Sequence, residues 1–158
     1  MWGTHFIDAW ASLYANSSAI RTGLGFAHVA GLIVGGGAAI AVDRGVLRAA
    51  RRNSSDLFAQ LATIRNVHSV VTASLAVVIV SGLLLAAADT ETFLHAPLFW
   101  IKMGLVGLLM VNGACMRLAE RAAGGTRPRW KPLAVTAAAS LTLWLLTTLA
   151  GAALPNVH

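Results

Sequence analysis

The chain has very few charged residues for its length. Of its 158 residues, 11% are Asp, Glu, Lys or Arg, whereas soluble domains carry about 25%. This shortage indicates that most of the folded surface does not face water. The single cysteine excludes an internal disulfide framework.

Recognisable catalytic patterns are also absent from the sequence. There is no GxSxG or HExxH motif, and no Gly-rich phosphate loop that precedes a lysine. The three glycines at 35–37 lie inside an apolar run, where they cannot bind phosphate. We therefore do not expect the enzyme classes that these motifs mark.

Long apolar segments are what the sequence does contain. They cover residues 19–42, 67–88, 97–116 and 132–154. Each is close to the length of about 20 residues that a helix needs to cross a bilayer. The runs are continuous rather than alternating, which favours helices over strands, and a helix satisfies its own backbone in lipid. Short connections predict an all-α fold: a single domain over 1–158, an integral membrane up-down-up-down four-helix bundle.

Basic residues predict the orientation of this bundle. Of the twelve Lys and Arg, five lie between the first two segments and five between the last two. They are Arg44, Arg48, Arg51, Arg52, Arg65, Arg117, Arg121, Arg127, Arg129 and Lys131. The positive-inside rule places both loops in the cytoplasm and both termini on the periplasmic side of a bacterial inner membrane. We therefore interpret the net charge of +6 as an orientation signal and expect no nucleic-acid partner.

The N-terminal stretch MWGTHFIDAWASLYANSS predicts a short helix on the membrane surface. It has no basic n-region and no clean apolar core, so we do not expect a cleaved signal peptide. Apolar residues recur at steps of four, four and three: Trp2, Phe6, Trp10 and Leu13. This spacing lines one face of an interfacial helix, and the alternative is a disordered terminus. Residue 16, 17 or 18 would cap the next helix.

A stripe of small residues runs along the first segment. Its members recur every four residues: Gly23, Ala27, Gly31, Gly35 and Ala39. Such a stripe lets a neighbouring helix approach closely within lipid. The lipid bilayer is one expected partner. The Gly31/Gly35 face packs either within the bundle or against another protomer or subunit, and the sequence does not choose.

Histidine positions define the candidate site. With a rise of 1.5 Å per residue, His28 lies roughly 5 Å outside the bilayer midplane and His68 roughly 15 Å inside it. The two cannot share one haem iron. His95 misses the depth of His28 by about 10 Å, a gap that a tilted span or a re-entrant loop would close. His28 is therefore either a neutral imidazole hydrogen-bonded to a neighbouring helix or a ligand that acts with His95.

Carboxylates lie close to His95. Asp89 and Glu91 precede it by a few residues, and imidazole with carboxylate suits divalent copper or zinc. The sequence predicts a haem or copper site at His28 and His95, with Asp89 and Glu91 as further metal ligands. In the third segment, Lys102 is expected either to extend to water or to pair with one of these carboxylates.

Three short segments resemble the membrane core of the copper-resistance protein D superfamily: HVAGLIVGGG, VVIVSGLLLAA and FWIKMGLVGLLMVNG. The resemblance covers roughly residues 21–152. It implies an inner-membrane protein that handles copper at its outer face, with His28 and His95 facing the metal. Two functions are thus expected as alternatives: copper or haem b handling through His28, or a non-catalytic accessory or assembly subunit of a larger membrane complex.

Overall fold

The structure, a computed structural model, describes residues 2–52, 56–123 and 130–154, almost all of them helical. The helices follow one another in this order: α1 (Trp2–Asn16), α2 (Ser18–Gly31), a π-helical segment (Leu32–Gly36), α3 (Gly37–Arg52), α4 (Asp56–Ala88), α5 (Thr90–His95), α6 (Pro97–Ala123) and α7 (Trp130–Ala153). The predicted all-α fold is confirmed.

Within the described residues, four helical stretches are long and apolar enough to cross a membrane, as the sequence predicts. They are Ser18–Arg51, Leu61–Ala88, Pro97–Ala123 and Trp130–Ala153. Large apolar side chains project outward from them, among them Phe26 at 73% and Val135 at 68% exposed. Such faces are suited to contact with lipid, and the chain is a multi-pass membrane protein.

The first three spans extend beyond the arginine-side limits set by their apolar runs. On that side the apolar runs are bounded by residues 42, 67 and 116, whereas the spans reach Arg51, Leu61 and Ala123 and so include arginine-bearing turns. Buried residues from four helices form a core there: Val46, Ile64, Met116 and Leu133. Packing therefore stabilises these turns as helix although they are less apolar. We call this side of the bundle the arginine end and the opposite side, which carries α1 and α5, the α5 end.

The glycine stripe of the first span packs against the second span of the same chain. A Cβ at Gly31 would lie 2.8 Å from Val78 Cγ2, and one at Gly35 would lie 2.7 Å from Ser74 Cβ. Both glycines are buried. Of the two alternatives, the structure shows packing within the bundle. The Gly31/Gly35 face is covered by α4 of the same chain and is therefore not available to a second protomer or subunit.

A π-helical segment lies in the middle of this span. It covers Leu32–Gly36, directly between α2 and α3. Single π-turns inside helices are frequent at functional sites and locally change the direction of the helix. Gly36 faces the Trp144 ring here, with the ring atom Cε3 3.2 Å from where a Cβ would be. The irregular turn thus includes a glycine that packs against the Trp144 ring of α7.

The N-terminal segment forms a helix, as predicted, and it packs on α4 at the α5 end. Trp10 Nε1 donates a hydrogen bond of 2.9 Å to the carbonyl oxygen of Leu84. The chain then breaks at Ser17, whose hydroxyl accepts from the backbone N–H of Ile20 and caps α2. Arg21 donates to carbonyl oxygens at the end of α1, including that of Tyr14 at 3.2 Å. These bonds fix α1 across the bundle end.

Candidate functional site

A large cavity opens at the α5 end of the bundle, with a volume of about 1090 Å³. Every residue predicted for the site lines it: His28, Asp89, Glu91 and His95. Most of the remaining lining is apolar and comes from the spans and from α5. Residues of the short helix α5 therefore line the same cavity as His28.

His28 is half-buried and held in one orientation. Its Nδ1 lies 2.9 Å from Ser81 Oγ on α4. Ser81 Oγ also lies 2.6 Å from the carbonyl oxygen of Val77, so its single hydrogen is donated there. The hydroxyl oxygen must then accept a hydrogen from His28 Nδ1. In the neutral ring the lone pair is then on Nε2, and the predicted hydrogen bond to a neighbouring helix is present.

Close packing supports this imidazole from the opposite helix. A Cβ at Gly82 would lie 3.1 Å from His28 Cε1. Because a larger residue would displace the ring, the Ser81–Gly82 pair provides both the hydrogen bond and the space for the histidine. This pair is not among the predicted site residues, although a serine followed by glycine in the middle of an apolar span is a usable signal for a helix contact.

His95 has a similar hydrogen-bonding pattern but is exposed. Its Nδ1 donates to the carbonyl oxygen of Glu91 across 2.8 Å, which leaves Nε2 free. Asp89 caps α5 by accepting from the N–H of Thr92 at 3.2 Å. The carboxylate of Asp89 is therefore engaged in stabilising the helix on which His95 lies.

Lys102 adds a positive charge to the cavity. Its side chain is half-buried, and Nζ lies beside α7, 3.3 Å from where a Cβ of Gly151 would be. Among the described residues, the only ion pair joins Arg65 to Glu120. Lys102 is thus not paired with Asp89 or Glu91, and the predicted alternative of an ion pair with one of these carboxylates is wrong. An ammonium group without a counter-ion attracts an anion.

In the part of the chain that the structure describes, imidazole, thiol and carboxylate groups do not by themselves form a site for a bare metal ion. Within the described ranges, no three His, Cys, Asp or Glu side chains are close enough to hold one. The ammonium of Lys102 lines the same cavity and repels a cation. An organic anion that carries its own metal does not have this conflict, because its negative groups can pair with Lys102.

A second polar residue, Asp43, was missed altogether. It follows directly after the apolar run 19–42 and was grouped with the hydrophilic segment, yet it is only 2% exposed. The signal was in the stripe itself, since Gly31, Gly35, Ala39 and Asp43 continue the same four-residue step. Asp43 belongs to a separate cavity at the arginine end.

Comparison with models of known protein families, with curated proteins and with solved structures finds no significant match to this chain. The resemblance to the copper-resistance protein D superfamily stays a prediction from short motifs. We therefore infer the function from the residues and geometry of the cavity.

Proposed function

We propose that this multi-pass membrane protein binds haem b, or an amphipathic anion of similar size, in the cavity at the α5 end. The observation that carries the proposal is an apolar cavity of about 1090 Å³ lined by His28, whose Nδ1 is bound to Ser81, and by Lys102, which has no ion-pair partner among the described residues. Sites for drug-sized ligands span roughly 300–1,000 Å³. The volume therefore suits a large ligand.

The surroundings of His28 support a role as a residue that would hold haem iron. Metal-ligating histidines almost always donate their second ring N–H to a protein group, which fixes the tautomer and orients the ring. His28 makes such a bond to Ser81. Bound haem would supply iron chemistry that the side chains lack, and the chain would contribute the imidazole and its orientation.

The remaining walls fit the other parts of an amphipathic anion. Phe93, Phe99 and Val106 provide apolar surface for a flat ring system, and Lys102 provides a charge for a carboxylate. Free Nε2 of His95 supplies a second imidazole on the same cavity. With both imidazoles lining one cavity, haem iron could be held by one histidine or by two.

The test is a haemin titration of the purified protein in mild detergent, followed by visible absorption. We expect a shifted Soret band with one equivalent bound, and its loss in His28→Ala. His68→Ala is the matched control, since it removes an imidazole from the other end of the bundle and should leave the band intact. His95→Ala distinguishes one-imidazole from two-imidazole ligation by the spectrum of the reduced form.

Lys102→Gln tests the anion-binding part of the proposal. We expect weaker haemin binding with an unchanged Soret position, because the charge pairs with the carboxylates and not with the iron. Identical titrations of the unaltered protein and His28→Ala would refute the haem proposal. Uptake of a metal-free porphyrin that depends on Lys102 but not on His28 would support the wider amphipathic-anion proposal alone.

Copper handling through His28 and His95 is a second candidate, favoured by one observation. The thioether of Met103 lines the same cavity as both imidazoles, and soft ligands select monovalent copper. Elemental analysis of the protein after growth with copper tests this.

We further propose that the protein lies in a bacterial inner membrane with both termini periplasmic. Labelling of either terminus in intact spheroplasts checks that orientation.

A further inference from the structure

The arginine end contains a second cavity, built around the carboxylate that the first site does not use. Its volume is about 310 Å³, and it is lined by α3, α4, α6 and α7. Asp43 lines it from α3 with only 2% of its surface exposed. This places an acidic side chain inside the packed helices of a membrane protein, where ionisable groups are costly and usually functional.

The Asp43 carboxylate lacks the partners that would stabilise a buried charge. Oδ2 is buried and has no hydrogen-bond partner. The hydroxyl of Ser140 on α7 is its hydrogen-bonding neighbour, and Ser140 is itself buried. In the described ranges, no Lys, Arg or His nitrogen lies within 4.0 Å of this carboxylate, since the one ion pair there is Arg65–Glu120.

An isolated carboxylate in such a place costs several kcal/mol, so the group has to acquire a positive partner. A metal ion fits this place poorly. Sodium, like other hard cations, is held by several oxygen ligands, whereas among the described residues the Ser140 hydroxyl is the side-chain hydrogen-bonding group given for Asp43. A proton needs no further ligands. It converts the side chain to a neutral acid that can itself donate a hydrogen bond.

The cavity also provides a polar route from the arginine end. His68 on α4 and Arg117 on α6 line it and are in contact, with Arg117 Nε donating to His68 Nε2. Arg117 Nη2 further donates to Thr72 Oγ1 at 3.4 Å. His68 and Arg117 are the titratable and charged side chains that face Asp43 across the cavity, while α7 contributes Ser140 and Trp144. Arg117 is exposed, so this group of side chains connects the cavity with the arginine-end surface.

We propose that Asp43 is a proton-binding site of the membrane domain, reached from the arginine end through the cavity that His68 and Arg117 line. The site is independent of the haem proposal, because it involves a different cavity and different residues. The proton binds to one carboxylate oxygen and leaves by the same route, so the step needs no oxidant or co-reactant.

The experiment uses dicyclohexylcarbodiimide, an apolar reagent that adds to protonated carboxyl groups, on the full chain in vesicles. Peptide mass mapping should show one carbodiimide added at Asp43. Labelling should fall as the pH is raised and should not change when sodium replaces potassium at constant pH. Glu120→Gln is the control that should keep the label, since Glu120 faces Arg65 at the surface, whereas Asp43→Asn should lose it.

A second variant keeps the test independent of how well Asp43→Asn folds. Ser140→Ala removes a donor to the charged carboxylate, which favours the neutral acid, so labelling should persist to higher pH. Absence of the label in the unaltered protein, or a yield independent of pH, would overturn the proposal. Protection by sodium would also overturn it and would assign the site to a metal ion.

Discussion

The glycine contact between the first two spans offers the most quantitative test of the fold. In Gly35→Ala, the new Cβ would lie 2.7 Å from Ser74 Cβ, about 1 Å inside the 3.5–4.0 Å optimum for two carbon atoms. Both atoms are attached directly to backbone, so neither can move aside by a rotamer change. Overpacking of this kind costs about 1–3 kcal/mol.

The same substitution also has a favourable part, which a control isolates. Replacing helical glycine by alanine gains about 1 kcal/mol of helix propensity. Gly104 lies in α6 with nothing within 4 Å of its Cβ position, so Gly104→Ala should stabilise by about that amount. The difference between the two variants therefore measures the steric cost, and we expect about 1–3 kcal/mol.

Reversible unfolding in mixed micelles, monitored by circular dichroism, is the assay. Ser74→Gly removes the clashing Cβ, so adding it to Gly35→Ala should recover stability beyond the sum of the two single effects, as a double-mutant cycle reports. Equal stability of Gly35→Ala and Gly104→Ala would refute the close packing of the first two spans, and with it the intramolecular use of the stripe.

Four further variants test separate contacts. Ser81→Ala removes the acceptor of His28 Nδ1; it should lower the free energy of unfolding by about 1 kcal/mol and weaken haemin binding about 10- to 100-fold, and unchanged titrations would contradict this role. Trp10→Phe loses the bond to the Leu84 carbonyl, so protease cleavage near Ser17 should accelerate while the four spans stay folded. Trp144→Ala empties the space beside Gly35 and Gly36 and should cost about 3–5 kcal/mol, measured in the same unfolding assay. Arg65→Gln breaks an ion pair of 3.7 Å in which Arg65 is 75% exposed, and a loss above about 1 kcal/mol would contradict its surface character.

Much of the candidate site was recognisable before any coordinates. His28 is predicted because an ionisable group inside an apolar span is costly, and His95, Asp89 and Glu91 are predicted because imidazole with carboxylate suits a metal ion. What sequence spacing could not supply was their surroundings. The partner of His28 is 53 residues away in the chain, and the unpaired state of Lys102 depends on where α5 and α7 lie relative to it. Asp43 was not predicted because it lies just outside the apolar run that ends at residue 42. The four-residue repeat of the first span nevertheless places it on the buried face of the helix.

The sequence by itself determined the four spans and the helical class, because hydrocarbon length and backbone hydrogen bonding leave an apolar run of this size few other choices. It also determined that residues four apart in the first span share a face. Only the tertiary structure decided which helix covers that face, that α5 brings His95 to the cavity of His28, and that Asp43 is buried with no ion-pair partner among the described residues. These outcomes depend on contacts between distant segments, whose geometry is set by side-chain volume across the bundle and not by any local pattern.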